Sequence, residues 1–205
     1  IGHVAATSFF PSKNLGAYGD GGAIFTNDDV LAHKLRGVVN HGMYERYHHD
    51  VVGVNSRLDS LQATVLRAKL PLLNTYNNKR RDAARKYSKA FQNVEHIVTP
   101  ATVNGCGEIC DTCDCHVFHQ YTLKITNGKR DALVMYLGEK GIPCGVYYPI
   151  PLHKQKAYLD DRYNDADFPV TNQLVQEVIS LPMHTELDDE QITYITDTVI
   201  GFMNF

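Results

Sequence analysis

The 205-residue chain lacks the features that would direct it to a membrane or a polyanion. No apolar stretch approaches the roughly 18 residues that a bilayer-spanning helix needs, and no secretory leader is recognisable. A cytoplasmic protein is therefore expected. Net charge is only −3 with histidines neutral, so nothing in it attracts nucleic acid or an anionic membrane in general. Internal repeats and low-complexity segments are missing too. Cysteine is scarce outside one place: Cys106, Cys110, Cys113 and Cys115 lie together beside His116, and only Cys144 stands apart. An initiating methionine is also absent. With a candidate functional motif close to Ile1, the expectation is a piece of a longer protein. What is present is an ordinary globular composition, 43% hydrophobic and 21% charged. That is enough for one large domain or two small ones.

Lys13 is the most informative residue. It lies between the segment Thr7-Ser8-Phe9-Phe10-Pro11-Ser12 and a turn region carrying Gly16, Gly19, Gly21 and Gly22, followed by the strand-like Ala23-Ile24-Phe25-Thr26. Glycines this dense let the backbone approach a ligand closely or adopt positive φ. A lysine held beside such a loop and out of bulk water can lose its proton and condense with an aldehyde. The plainer alternative is a solvated lysine before a glycine turn.

Asp28-Asp29 offers an N-cap for a helix through Val30, Leu31, Lys34 and Leu35. The polar and aromatic stretch 39–50 reads as a loop lining a site. Residues 56–94 carry a long helical pattern, with Leu58, Leu61, Ala63, Val65, Leu66, Ala68 and Leu70 as an apolar stripe. Pro71 predicts a kink or break. In the helix that follows, Ala83, Ala84, Tyr87, Ala90 and Phe91 are expected to face inward. Residues 116–125 alternate as a half-buried strand, 129–140 form a helix ended by Gly141, and 143–149 read as a second strand. Helices are expected near 168–180 and 188–203, the last with a good cap at Asp188. This is an α/β arrangement. His119 reads as a half-buried strand histidine.

Four separated motifs then agree. They are Ser8-Phe9-Phe10-Pro11-Ser12-Lys13-Asn14-Leu15-Gly16, Gly19-Asp20-Gly21-Gly22-Ala23, Asn55-Ser56-Arg57-Leu58-Asp59-Ser60-Leu61-Gln62-Ala63, and Tyr148-Pro149-Ile150-Pro151-Leu152-His153. In this order they resemble the DegT/DnrJ/EryC1/StrS family of pyridoxal-phosphate-dependent sugar aminotransferases. The resemblance covers essentially the whole chain, yet family members are much longer, so it implies that their first half is absent here. It implies an α/β fold of the fold type I transferase class. Residues 1–75 would be the end of the cofactor-binding large domain, and 76–205 the small C-terminal α/β domain, interrupted by a Cys-rich insert at 105–116.

The resemblance further implies that Lys13 bonds to the cofactor aldehyde and serves as catalytic acid/base. Ser8 and Asn55 would contact the cofactor phosphate, Asn55 from across a subunit interface. Arg57 would line the substrate side of the neighbouring subunit's site, where a guanidinium can grip an anionic group bidentately. For Asn55 a helix N-cap is the alternative. Tyr148, His153 and Tyr158 match positions facing the sugar-nucleotide pocket. The implied enzyme is a homodimer with composite sites, moving an amino group from glutamate to a keto sugar of a nucleotide-sugar. A dehydratase branch carries histidine at the lysine position, so Lys13 favours amino transfer. The wording around Asn14 and Gly19 looks more like members acting on 3-keto sugars. Taken alone, the piece is expected to be inactive. A rival reading is a non-catalytic fragment.

The stretch Gly105-Cys106-Gly107-Glu108-Ile109-Cys110-Asp111-Thr112-Cys113-Asp114-Cys115-His116 departs from the family pattern. Four thiolates could hold a structural zinc, which would make a zinc-stapled interaction domain the third reading. The spacing matches no standard zinc ribbon or finger, and a metal-free loop of reduced thiols is equally open.

Overall fold

The computed structural model describes residues 2–102 and 114–204. The chain divides into two compact units, Ile1–Asn74 and Thr75–Phe205. Both mix helices and strands.

The first unit opens with an antiparallel pair, β1 (Ala5–Ser8) and β2 (Gly22–Phe25), in the register Ala5↔Phe25 to Ser8↔Gly22. Helix α1 (Asp29–Val39) follows, and the Asp28 carboxylate accepts the Leu31 N–H at 3.0 Å as its cap. The stretch 39–50, expected to be an irregular loop, is instead built around a hairpin of β3 (Met43–Glu45) and β4 (His48–His49). Glycine is required where it meets its neighbours. A Cβ on Gly37 would lie 2.3 Å from the Tyr44 ring, and Gly42 has φ +76° with the Val51 carbonyl where its Cβ would be. Helix α2 (Ser60–Lys69) has Asp59 at its N-cap position, with no capping bond from the side chain, so Asn55 is not its N-cap. A 3-10 turn at Leu70–Leu72 contains Pro71, where the long helical pattern breaks as expected.

Helix α3 (Leu73–Phe91) leads into the second unit. There β5 (Ile97–Val98), β6 (Tyr121–Ile125) and β7 form an antiparallel sheet in the order β5-β6-β7. Helices α4 (Arg130–Glu139), α5 (Pro169–Glu177) and α6 (Asp189–Met203) complete the unit. Tyr87, Phe91, Leu123, Leu133, Leu137, Ile179 and Val199 are fully or almost fully buried in one cluster. Each such side chain contributes about 1.5–3 kcal/mol over its exposed state. Asp188 and Gln191 cap α6 reciprocally.

Two strand expectations are corrected. Residues 116–120 are irregular: Phe118 takes φ 43°, its N–H donates to His116 Nδ1, and the Phe118 and His119 carbonyls accept from Arg80 Nη1. With its backbone groups taken by side chains, the segment joins no ladder, and His119 is no strand histidine. Residues 143–149 make only one bridge, Gly145↔Ser180. The third strand is β7 (Val178–Leu181), the end of a stretch whose apolar spacing reads as helix. Among the described residues no helix is long and apolar enough to cross a membrane.

Candidate active site

Lys13 closes a tight turn. Its N–H donates to the Phe10 carbonyl at 2.9 Å, with Pro11 at the position where a fixed φ favours a β-turn. The loop is then cinched at Phe9, whose N–H donates to Gly21 and whose carbonyl accepts from Ala17, both at 2.8 Å. The return leg passes so close that a Cβ on Gly16 would lie 2.3 Å from the Pro11 carbonyl oxygen. The sequence thus places a lysine on a glycine-closed loop between two paired strands. Lys13 is half-buried there.

Ser8 ends β1, opposite Gly22. Its Oγ accepts the Phe10 N–H at 3.2 Å, which leaves the hydroxyl proton for an acceptor outside the loop. Asn55 is fixed by its bridge to Asn40, and the neighbouring Ser56 N–H donates to Val39 at 2.9 Å. Its Oδ1 accepts from Arg57 Nε at 3.1 Å, so the side chain offers a ligand its amide donors. The structure therefore joins Asn55 to Arg57 directly. Both line an open cleft of roughly 1720 Å³, together with Thr7, Gly22, Ile24, Arg36 and Leu58. Ser8 and Lys13 are not among its lining residues.

In the second unit the Tyr148 side is open to solvent, and so is Tyr158, at 72% and 61% exposure. The Tyr147–Tyr148 peptide bond is cis. His153 is different. Its side chain is nearly buried, Nε2 lies 3.0 Å from Asp165 Oδ1, and the ring stacks on Phe168 at 4.3 Å. Lys154 Nζ reaches the same carboxylate at 2.7 Å, and Asn172 donates to the Asp165 carbonyl at 2.8 Å. These partners hold the Asp165 carboxyl down at about 2. His153 thus pins the chain that carries Tyr158.

Of the cysteine group, Cys106, Cys110 and Cys113 lie outside the described residues, and Cys115 is exposed. Burial pushes the Cys144 thiol up, away from thiolate chemistry. Among the described residues no three His, Cys, Asp or Glu side chains gather as a metal-holding group, and zinc gains no support.

Sequence reasoning did not single out Gln62, Lys69 or Asp165. The first two stand seven residues apart on α2, two turns along one face, and that spacing was readable. Asp165 had no local signal, because its partner lies twelve residues upstream.

A lysine on a glycine-closed strand connection, with hydroxyl, amide and guanidinium donors elsewhere in the same unit, gives an α/β protein the groups to meet an anionic ligand bearing a carbonyl. The chain belongs to the DegT/DnrJ/EryC1/StrS aminotransferase family, whose model matches residues 1–200. It is 44% identical over 192 residues to a Pseudomonas aeruginosa protein named UDP-2-acetamido-2-deoxy-3-oxo-D-glucuronate aminotransferase, covering 94% of this chain and 50% of that one. It is 43% identical over 204 residues to a Geobacillus stearothermophilus protein named pleiotropic regulatory protein, covering 98% and 52%. The crystal structure of S. venezuelae DesV, in complex with a ketimine intermediate, superposes with a TM-score of 0.87 at 35% identity. That match covers 100% of this chain and 53% of DesV. The chain therefore spans about half the length of the relatives it matches. The donor set fits pyridoxal 5′-phosphate: an amine for its aldehyde, and a hydroxyl and an amide for its phosphate.

Proposed function

We propose that the chain carries the cofactor-lysine part of a pyridoxal-phosphate-dependent aminotransferase. The enzyme would move an amino group from glutamate to a keto sugar of a nucleotide-sugar, for surface polysaccharide or a glycosylated metabolite. The observation that carries this reading is Lys13, held on its glycine-closed loop at the family's motif. The P. aeruginosa relative's name favours a 3-keto sugar linked to UDP.

When bound, pyridoxal phosphate supplies an aldehyde that captures amines and a ring that accepts the electrons released beside the nitrogen. The chain's own residues do the rest. Lys13 Nζ would hold the aldehyde and would serve as the acid/base that takes up and returns a proton there. The Ser8 hydroxyl and the Asn55 amide donate to the phosphate. Arg57 grips an anionic group of the nucleotide. Tyr148 and Tyr158 are assigned to the sugar, and His153 to holding the Tyr158 segment through Asp165 and Phe168.

Residues 1–75 are assigned to the cofactor-binding domain and 76–205 to the small domain. A cytoplasmic homodimer with Asn55 and Arg57 serving the partner's site completes the reading. Taken alone, the 205 residues are expected to be inactive, since they span half of their relatives' length.

The test uses the full-length protein loaded with cofactor. Borohydride reduction and mass spectrometry should find the cofactor on Lys13. Lys13→Ala should abolish the absorbance band at the visible–ultraviolet border and lower amino transfer from glutamate to a UDP-linked 3-keto sugar by at least about 10²–10⁴-fold. A band that survives the substitution ends the proposal. One observation favours a second reading, a non-catalytic regulatory module: the name of the G. stearothermophilus relative. A full-length protein that binds no cofactor would decide for it.

A further inference from the structure

We propose that Gln62 and Lys69 are positioning residues for Lys13, which makes α2 the element that sets the lysine loop. The inference rests on the reading of Lys13 as the cofactor lysine.

Both side chains leave one face of α2, two helical turns apart, and both end on the return leg of the loop. Gln62 Oε1 accepts the Tyr18 N–H at 2.8 Å. Lys69 Nζ donates to the Gly16 carbonyl at 2.8 Å and sits 4.9 Å from the centre of the Tyr18 ring, over its face. The Gln62 amide is also pressed against Gly19, where a Cβ would meet Nε2 at 3.0 Å. Gly16, Tyr18 and Gly19 are thus held at three successive points.

A lysine in the last turn of a helix ordinarily interacts with that helix's own C-terminal carbonyls. Lys69 instead spends its ammonium on a carbonyl 53 residues away, and half-buried. The glycines explain why such an outside clamp is needed. Gly16, Gly19 and Gly21 make the loop the most permissive backbone in the unit, and free glycine loses the most conformational freedom when it is fixed. The loop's own bonds fix Lys13 and Ala17 through Phe10 and Phe9. Gln62 and Lys69 fix Tyr18 and Gly16. The helix they stand on begins at Ser60, three residues after Arg57, so the clamp on the lysine loop follows closely on the Asn-x-Arg pair in the chain.

The test measures Gln62→Leu and Lys69→Met in the full-length protein, with Gln62→Glu and Lys69→Arg as variants that keep an acceptor and a donor. In the apo form, hydrogen exchange at the Tyr18 amide should rise at least about 10-fold in Gln62→Leu, and the Kd for pyridoxal phosphate should rise about 10-fold in both loss variants. The single-turnover rate with glutamate, per cofactor-loaded site, should fall about 10–100-fold, because small misplacement of a reacting group is costly. The conservative variants should recover to within about threefold of wild type. Should Lys69→Met fail to fold, Tyr18→Leu removes only the ring beneath the ammonium and is held to the same thresholds.

Loss variants that match wild type within about twofold in both Kd and per-site rate overturn the proposal, because a merely structural contact would change stability and leave loaded sites unaltered. If that happens while Lys13→Ala has lost the cofactor band, only the clamp fails. A band that persists in Lys13→Ala removes the parent reading instead.

Discussion

The two units are patterned alike and packed differently. Both carry apolar residues at helical spacing, but only the second closes a core over them, with Tyr87, Tyr121, Leu123, Leu133 and Val199 at 0% exposure. In the first, Ala17 and Leu66 are the buried hydrophobic residues among those described. Leu61 is 80% exposed, and Phe25 and Leu70 are each 57% exposed. Its order comes from caps, turns and close glycine contacts. The proposed cofactor chemistry sits in this unit. An apolar stripe in a sequence therefore reports that a surface is built to be covered, without saying by what.

The largest expected effect tests that contrast directly. Phe91→Ala removes a ring from the second unit's core and should lower stability by about 3–5 kcal/mol. In the same 205-residue chain Leu61→Ala should cost less than about 0.5 kcal/mol. Urea unfolding of the two variants checks both. A Leu61→Ala cost above about 2 kcal/mol would make it a core residue and dissolve the comparison.

Next comes a buried polar network of the second unit, where the buried polar and charged residues among those described all lie. Arg80 Nη1 donates to the carbonyls of Phe118, His119 and Met183 at 3.3, 3.3 and 3.1 Å. Burial pulls its pKa down, and Nε finds no hydrogen-bond partner among the described residues. Arg80→Met would strand these acceptors, for a loss of about 1–3 kcal/mol in the same unfolding measurement. Arg80→Lys should recover only part, since an ammonium is a single point donor on a flexible stem. Equal stability of Arg80→Met and wild type would show that the loop at Phe118 stands without its guanidinium.

Arg80 also marks the limit of what the sequence made legible. Local chemistry read well: the Asp28 and Asp188 caps, the break at Pro71, the stop at Gly141 and the inward face of Ala83, Ala84, Tyr87 and Phe91 are each set by neighbours a turn or less away. Long-range satisfaction did not. Residues 116–120 alternate like a strand, but Arg80 and His116 take their backbone groups. Residues 178–181 continue a helical apolar period from Val175 to Ile179, and only pairing with Tyr121–Lys124 makes them a strand. For the proposed site the motif pointed to Lys13, Ser8, Asn55 and Arg57 by residue type. That Gln62 and Lys69 reach back to the lysine loop depends on how α2 lies against that loop, and side-chain reach has no periodicity to read.

The smallest effect is a pH dependence confined to one unit. Among the described residues, the carboxylates held below their usual range are Asp160, Asp165 and Glu186, all in the second unit. Asp165 moves furthest, from 3.8 to about 2, through its hydrogen bonds to His153 first and Lys154 second. A carboxyl with a depressed folded-state pKa favours the folded state above its unfolded value and loses that contribution as pH falls through the folded one. The stabilisation is thus complete above about pH 4 and is lost toward pH 2. The group is exposed, so solvent screens it and the effect is modest. Because His153 and Phe168 stack on the same turn, acid should loosen residues 151–168 before the sheet. Hydrogen exchange, corrected for the intrinsic pH dependence of the amides, should show faster exchange there between pH 4 and pH 2 in the wild type. In Asp165→Asn that acid-induced change should be absent. The β3–β4 hairpin of the first unit is the internal control. If it responds as strongly as residues 151–168, the acid sensitivity belongs to the whole chain and the latch at His153 is not its source.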